Sequence, residues 1–170
     1  MPADLSLLSH LDASGRPHMV DVGAKVDTDR EATAEGWLRL SAAARAQLEP
    51  GANPKGDVLL IAQLAGIQGA KRAAELIPLC HPLPIDGVEL HLELLPEGLR
   101  VVARVRTRWR TGVEMEALTA VSAALLTAYD MLKAVDRALC MDGLRLLSKR
   151  GGRSGDFVAA SAPGTGQGGG

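Results

Sequence analysis

Asp130 and Lys133 stand three residues apart in the largely apolar stretch Tyr129-Asp130-Met131-Leu132-Lys133-Ala134. On a helix, i and i+3 share a face, so a carboxylate and an ammonium would meet there. On an exposed helix that pair is a salt bridge worth about 0.2–0.5 kcal/mol. Sheltered by its neighbours, the lysine becomes a proton donor whose acidity the surroundings set. Spacing alone favours the plain ion pair, because structural pairs also perturb pKa values.

His81 is the second candidate, at the centre of Ile77-Pro78-Leu79-Cys80-His81-Pro82-Leu83-Pro84. The prolines stiffen this loop, which suits it to positioning a ligand, although a lone histidine is more often a structural hydrogen bonder. The candidate cations are Lys55, Lys71, Arg72, Lys149, Arg150 and Arg153. Each alone reads as a solvated surface residue. Lys55-Gly56 and residues 149–155 also combine cations with glycines whose backbone N–H groups stay open to an anion. Neither is a Walker loop or a dinucleotide fingerprint. Arg104, Arg106 and Arg108 pair with acids across a sheet or across a subunit contact. Glu114 and Glu116 suit a helix N-terminus. Their i,i+2 spacing points them about 200° apart, so at most one should face a given pocket.

The element that must position these groups is a long helix over 111–137, roughly six to seven turns. Val121, Ala124, Leu125, Ala128, Leu132 and Val135 form its buried stripe. Its many alanines leave it thin enough for close approach by a sheet or another copy. Upstream, 18–22 reads as a short strand and 31–41 as a second. Ser41 caps a short helix over 42–48, and Asp57 caps a helix over 58–64 that Gly66 interrupts and 68–76 resumes. Residues 88–95 and 99–110 alternate around Pro96-Glu97-Gly98, a hairpin signal. A loop at 96–99 would set Leu90 opposite Val105, Leu92 opposite Ala103 and Glu89 opposite Arg106. A last strand covers 144–148. This order predicts an α+β fold, an antiparallel sheet with helices packed on one face.

A chain of 170 residues, 46% hydrophobic and 23% charged, has the composition of one soluble globular domain. Aromatics at 2% and a net charge of −1 exclude a stacking platform for single-stranded nucleic acid and a general polyanion binder. Cys80 and Cys140 lie far apart without a CxxC, so no zinc or iron–sulfur site is read and free thiols in a cytoplasmic chain are the default. No apolar run approaches about 18 residues and no signal-peptide pattern appears, so no membrane association is expected.

The strings MVDVGAKVDTDREA (19–32), KGDV (55–58), AGIQGAKRAAELIPLCHPLPI (65–85), TGVEMEALTAVSAALLTAYDMLKA (111–134) and RLLSKRGGRSGDF (145–157) resemble the molybdenum cofactor biosynthesis protein C family, the cyclic pyranopterin monophosphate synthases. The resemblance spans about 18–157, between a leader at 1–17 and a glycine-rich tail at 158–170. It implies a ferredoxin-like fold and a single catalytic domain. It implies a lyase that converts (8S)-3′,8-cyclo-7,8-dihydroguanosine 5′-triphosphate to cyclic pyranopterin monophosphate and pyrophosphate. No cofactor or metal is implied. The assembly implied is a homohexamer, a trimer of dimers, with sites at subunit interfaces. Residue by residue, Asp130 and Lys133 match the catalytic pair. Leu79, Cys80, His81, Met115 and Glu116 match the substrate-binding loop and helix start, and Lys55, Lys71, Arg30 and Lys149 match the cations around the ligand.

Three positions depart from the family pattern. Arg108-Trp109-Arg110 replaces a glycine with lysine or arginine, and Trp109 is bulky for a turn. Leu132 replaces a cysteine, and Arg150 a serine. None removes a proposed site residue, so an active enzyme is expected. Rival readings are a ferredoxin-like nucleotide- or RNA-binding module without catalysis, and a purely structural oligomerisation domain. Neither needs Asp130 beside Lys133.

Overall fold

The computed structural model describes residues 11, 12, 14–153 and 155–160. Most of the expected leader and tail, 1–17 and 158–170, lies outside the described residues. The elements are β1 (Thr28–Arg39), α1 (Ala42–Ala46), α2 (Val58–Ala70), α3 (Ala73–Leu76), β2 (Gly87–Leu95), β3 (Gly98–Trp109), α4 (Glu114–Leu132), β4 (Cys140–Arg150) and β5 (Phe157–Val158). The strands lie in the order β2-β3-β1-β4-β5, every neighbour antiparallel. With the short α1, α3 and β5 set aside, this is the β-α-β-β-α-β arrangement of the ferredoxin-like class. The expected sheet covered by helices on one face is what the chain forms.

Alternation explains the two faces. Leu99, Val101, Ala103 and Val105 of β3 and Ala32, Ala34 and Leu38 of β1 are buried beneath the helices. A Cβ at Gly36 would meet Leu125 and Val121 side-chain carbons at 2.9 Å, so the sheet's centre is kept thin where α4 lies on it. On the opposite face, Glu35 is buried between Arg100 and Arg145, each at 2.7 Å. Arg104 pairs with Glu31 and Glu89, and Arg106 with Glu89. Arg104 and Arg106 therefore pair with acids across the sheet within the chain. The Arg108 N–H donates to Asp86.

Several boundaries differ from the sequence reading. α4 begins at Glu114 and ends at Leu132, with Lys133 as its C-cap. Val121, Ala124, Leu125, Ala128 and Leu132 are buried as expected, whereas Val135 lies past the helix end and is exposed. Gly66 does not interrupt α2, because it and Gly69 are where α2 touches α4; the break falls at Lys71-Arg72. The hairpin loop is shorter than expected. Leu95 pairs with Gly98, which sets Leu90 opposite Ala103, Leu92 opposite Val101 and Glu89 opposite Arg104. A slip of two residues keeps every side chain on its face, so the burial pattern survived the error. Residues 18–22 form no strand. Trp109 is the last residue of β3, opposite Thr28, so its bulk is not in a turn.

Candidate functional site

The expected site residues sit at the two ends of α4. Its first turn carries Glu114, Met115 and Glu116, its last turn Asp130, and its C-cap is Lys133. At 1.5 Å per residue, Glu116 and Asp130 are separated by about 21 Å of helix. One chain thus holds the expected residues in two separate groups.

At the N-terminal end, the loop after α3 rises against the first turn of the helix. Leu79, Cys80, His81, Met115 and Glu116 line one cleft of about 450 Å³. His81 Nε2 lies 2.7 Å from the Val20 carbonyl. A carbonyl only accepts, so Nε2 carries the proton and, in the neutral ring, Nδ1 is left as an acceptor. Glu116 is 3% exposed. Its Oε1 accepts the Cys80 thiol at 3.6 Å, and its Oε2 is buried without a partner among the described residues. Burial raises the Glu116 carboxyl above the usual range, its own backbone N–H and the Cys80 thiol oppose this, and Glu114 adds a smaller upward push. Burial, followed by the charge of Glu116, pushes the Cys80 thiol up to about 11. Cys80 is therefore a protonated donor at neutral pH, not a thiolate nucleophile.

Glu114 borders the same cleft, contrary to the expectation that only one acid of the pair could. It is the first helical residue, and its carboxylate folds back over Gly112 instead of pointing radially. Glu114, Thr111 and Gly112 continue the cleft into a second hollow, walled by Lys25, Arg30, Arg110, Lys149 and Arg153. Arg30 comes from β1 and Lys149 from β4, adjacent strands in the sheet. Gly151 and Gly152 take φ of +84° and +87°, and a Cβ on Gly152 would run into the Arg30 guanidinium. The glycines after β4 thus make room for a cation as well as a turn. The Arg30 Nε is buried without a partner among the described residues.

The sequence reading left Lys25 and Arg110 out of the site. Strand pairing brings them together: Thr28 lies opposite Trp109, which sets the residues flanking both strand ends side by side. Arg110 also bonds Asp27 at 3.2 Å and lies over the Trp109 ring.

At the other end of α4, Lys133 Nζ meets Asp130 Oδ1 at 2.6 Å. The pair is not sheltered: the side chains are 51% and 62% exposed. Met131 and Leu132 turn into the core and leave Asp130 and Lys133 on the solvent side. The hydrogen bond from Lys133, and then its charge, lower the Asp130 carboxyl below its usual range, with a smaller contribution from Lys55. Lys55 Nζ donates to the Asp130 carbonyl at 2.9 Å, and Asn53 Nδ2 to the Met131 carbonyl at 3.4 Å. These donors satisfy carbonyls that the helix end leaves open. Lys71 caps the C-terminus of α2, at the Glu114 end of α4, and lines neither hollow.

Electrostatically, an acid-lined apolar cleft adjoins a cationic hollow at one end of α4, and at the other sits a carboxylate paired with one ammonium, with a second ammonium on the same residue's main-chain carbonyl. The first can take a ring with N–H donors and an anionic tail; the second can hold phosphate and deliver a proton. Among the described residues, no three His, Cys, Asp or Glu side chains converge as a metal-binding group.

Comparison with known proteins gives the same orientation. The model of the MoaC family matches residues 19–152. The cyclic pyranopterin monophosphate synthase of Corynebacterium efficiens is 54% identical over 153 residues, covering 90% of the chain and 99% of that protein. The synthase of the same name from Dinoroseobacter shibae is 55% identical over 159 residues, 91% of the chain and 99% of that protein. That of Deinococcus radiodurans is 51% identical over 160 residues, 94% of the chain and 95% of that protein.

Proposed function

The chain belongs to the MoaC family, and from that premise we propose that it is a lyase of molybdenum cofactor biosynthesis whose active site is completed between two copies. Its substrate is the 3′,8-cyclised dihydro-GTP, and its products are cyclic pyranopterin monophosphate and pyrophosphate. One observation carries the shared site: the two sets of site residues lie about 21 Å apart along one helix, too far for one small molecule to bridge. A second copy that lays its Asp130, Lys133 and Lys55 over the first copy's cleft would complete the site. We read the assembly as a cytoplasmic homohexamer, a trimer of dimers.

In this reading the purine-derived ring enters the cleft beside Leu79, His81, Met115 and Glu116. The triphosphate spans the cations: Arg30 and Lys149 from one chain, Lys55 from the other, with Lys71 close by. Lys25, Arg110 and Arg153 extend that grip. Preorganised cations stabilise the charge that develops as the bond to pyrophosphate breaks and the cyclic phosphate forms. Lys133 is the general acid. Asp130 orients its ammonium and keeps it charged, while His81 and Glu116 exchange protons at the ring. The lowered Asp130 carboxyl supports this division, because Asp130 remains the anion beside a cation.

Complementation tests the shared site. Lys133→Ala and Glu116→Gln chains, each inactive alone, are co-expressed. Random pairing into dimers should restore about a quarter of wild-type turnover, because one site in each mixed pair is intact. If every chain holds a complete site, the mixture stays inactive and the proposal is wrong.

A further inference from the structure

We infer that Cys80 is a positioning residue for Glu116: its thiol holds Oε1, which leaves Oε2 as the atom that exchanges a proton with the ring bound in the cleft. The inference rests on the reading that this cleft takes the purine-derived ring. It gives Cys80 a role different from the substrate contact that the resemblance implies.

A carboxyl group offers two oxygens, and free rotation would let either face a ligand. Here they are not equivalent. Oε1 accepts the Cys80 thiol at 3.6 Å, while Oε2 is buried with no partner among the described residues. Leaving a buried acceptor unsatisfied is costly. Glu116 lines the cleft, and a ring seated there relieves that cost once the wall gives enough for its N–H or proton to reach Oε2, which has almost no exposed surface of its own.

The groups around Glu116 leave this task to the ligand. Its own helix contributes Glu114, which repels a second negative charge. The loop after α3 contributes Cys80, already engaged, and His81, whose Nε2 is held by Val20. The cations Arg30, Lys149 and Arg110 wall the adjoining hollow. No hydrogen bond from any of them reaches Oε2. The thiol itself, pushed up to about 11, keeps its proton through the neutral range and so remains a donor. One proton moves between Oε2 and a ring nitrogen, and the thiol proton and all electrons stay where they were.

The test uses the full chain as its native oligomer and two readouts. Turnover of the cyclised substrate is followed against pH for wild type, Cys80→Ala and Cys80→Ser. The Glu116 carboxyl is titrated in the same proteins by NMR with carboxyl-labelled glutamate. Loss of one weak thiol–carboxylate hydrogen bond of about 1 kcal/mol should lower kcat of Cys80→Ala roughly fivefold with KM little changed. Without the thiol donor the carboxylate is less favoured, so the Glu116 titration and the acid limb of the rate profile both move to higher pH. Serine, which retains a donor, moves both back toward wild type. A Glu116 titration unchanged in Cys80→Ala overturns the inference, as does a loss of rate with no movement along the pH axis. If the alanine variant fails to fold, the serine variant decides: a titration displaced well above wild type overturns it, and one near wild type supports it. Absence of turnover in the wild type would instead overturn the proposed function, while the titration arm still judges Cys80.

Discussion

The Lys55 ammonium donates to the main-chain carbonyl of Asp130 at 2.9 Å. A residue in the turn before α2 thus caps the end of α4 and brings a second cation to the Asp130–Lys133 pair. Asn53, buried beside it, accepts the Lys55 N–H and donates to the Met131 carbonyl. The turn and the helix end therefore form one unit.

Replacing Lys55 by alanine removes, from an exposed position, the charge proposed to hold phosphate. Turnover should fall about 100-fold or more, the scale for losing one preorganised electrostatic group. The melting temperature should fall only slightly, because the Asp130 carbonyl that Lys55 caps lies at an exposed helix end, where water replaces the lost donor. Steady-state rates and a thermal melt on the same preparation separate the two effects.

Replacing Lys133 by alanine should abolish product formation while a GTP analogue still binds, as read by calorimetry. Without the Lys133 hydrogen bond and charge, the Asp130 carboxyl rises toward its ordinary value of 3.8. Near-normal turnover in this variant would remove Lys133 from the chemistry.

The fold was legible where periodicity carried it: alternation in β2 and β3 and the apolar stripe of α4 gave the faces correctly. The sequence marked Asp130 and Lys133 as a pair but not their exposure, because apolar neighbours in sequence turn inward on a helix. The cations at 25 and 110 were hidden, since only the β1–β3 register brings their strand ends together. Gly66 was misread because a glycine that breaks a helix and one that admits a neighbouring helix look alike in one dimension. The family was legible through its strings, LIPLCHP and TGVEMEALT, far more than through physics.

Glu35 is the acid on which the open face of the sheet depends. Burial alone would raise its carboxyl, but hydrogen bonds and charge from Arg100 and Arg145 outweigh that and leave it below its ordinary value of 4.5. Its folded pKa is depressed, so the stability it contributes is fully present above that value and is lost as pH falls through the folded one. Glu35→Gln should destabilise the fold by about 2 kcal/mol at neutral pH, moderated because the arginines are about one-third exposed and can rehydrate. Urea unfolding should show the gap from wild type closing as pH drops below 4.5. A constant gap across that range would mean the loss is one of packing rather than charge.

Gly69 decides how closely α2 approaches α4. Helix propensity predicts that alanine there should stabilise by up to about 1 kcal/mol. Packing predicts the opposite: an added Cβ would lie 2.6 Å from the Ala123 Cβ and 3.0 Å from the Thr119 carbonyl oxygen. Overpacking of that kind costs about 1–3 kcal/mol, and a backbone carbonyl cannot rotate away, so the packing term should win. Gly69→Ala should therefore melt lower than wild type. Because α2 begins beside the turn that carries Lys55, pushing the helices apart also draws the ammonium away from Asp130. Turnover should fall by more than the loss of folded protein explains, although residue 69 lies near the opposite end of both helices. A variant that melts higher and turns over normally would show that propensity outweighs contact here and that the spacing of α2 and α4 does not set the geometry of the Asp130–Lys133 pair.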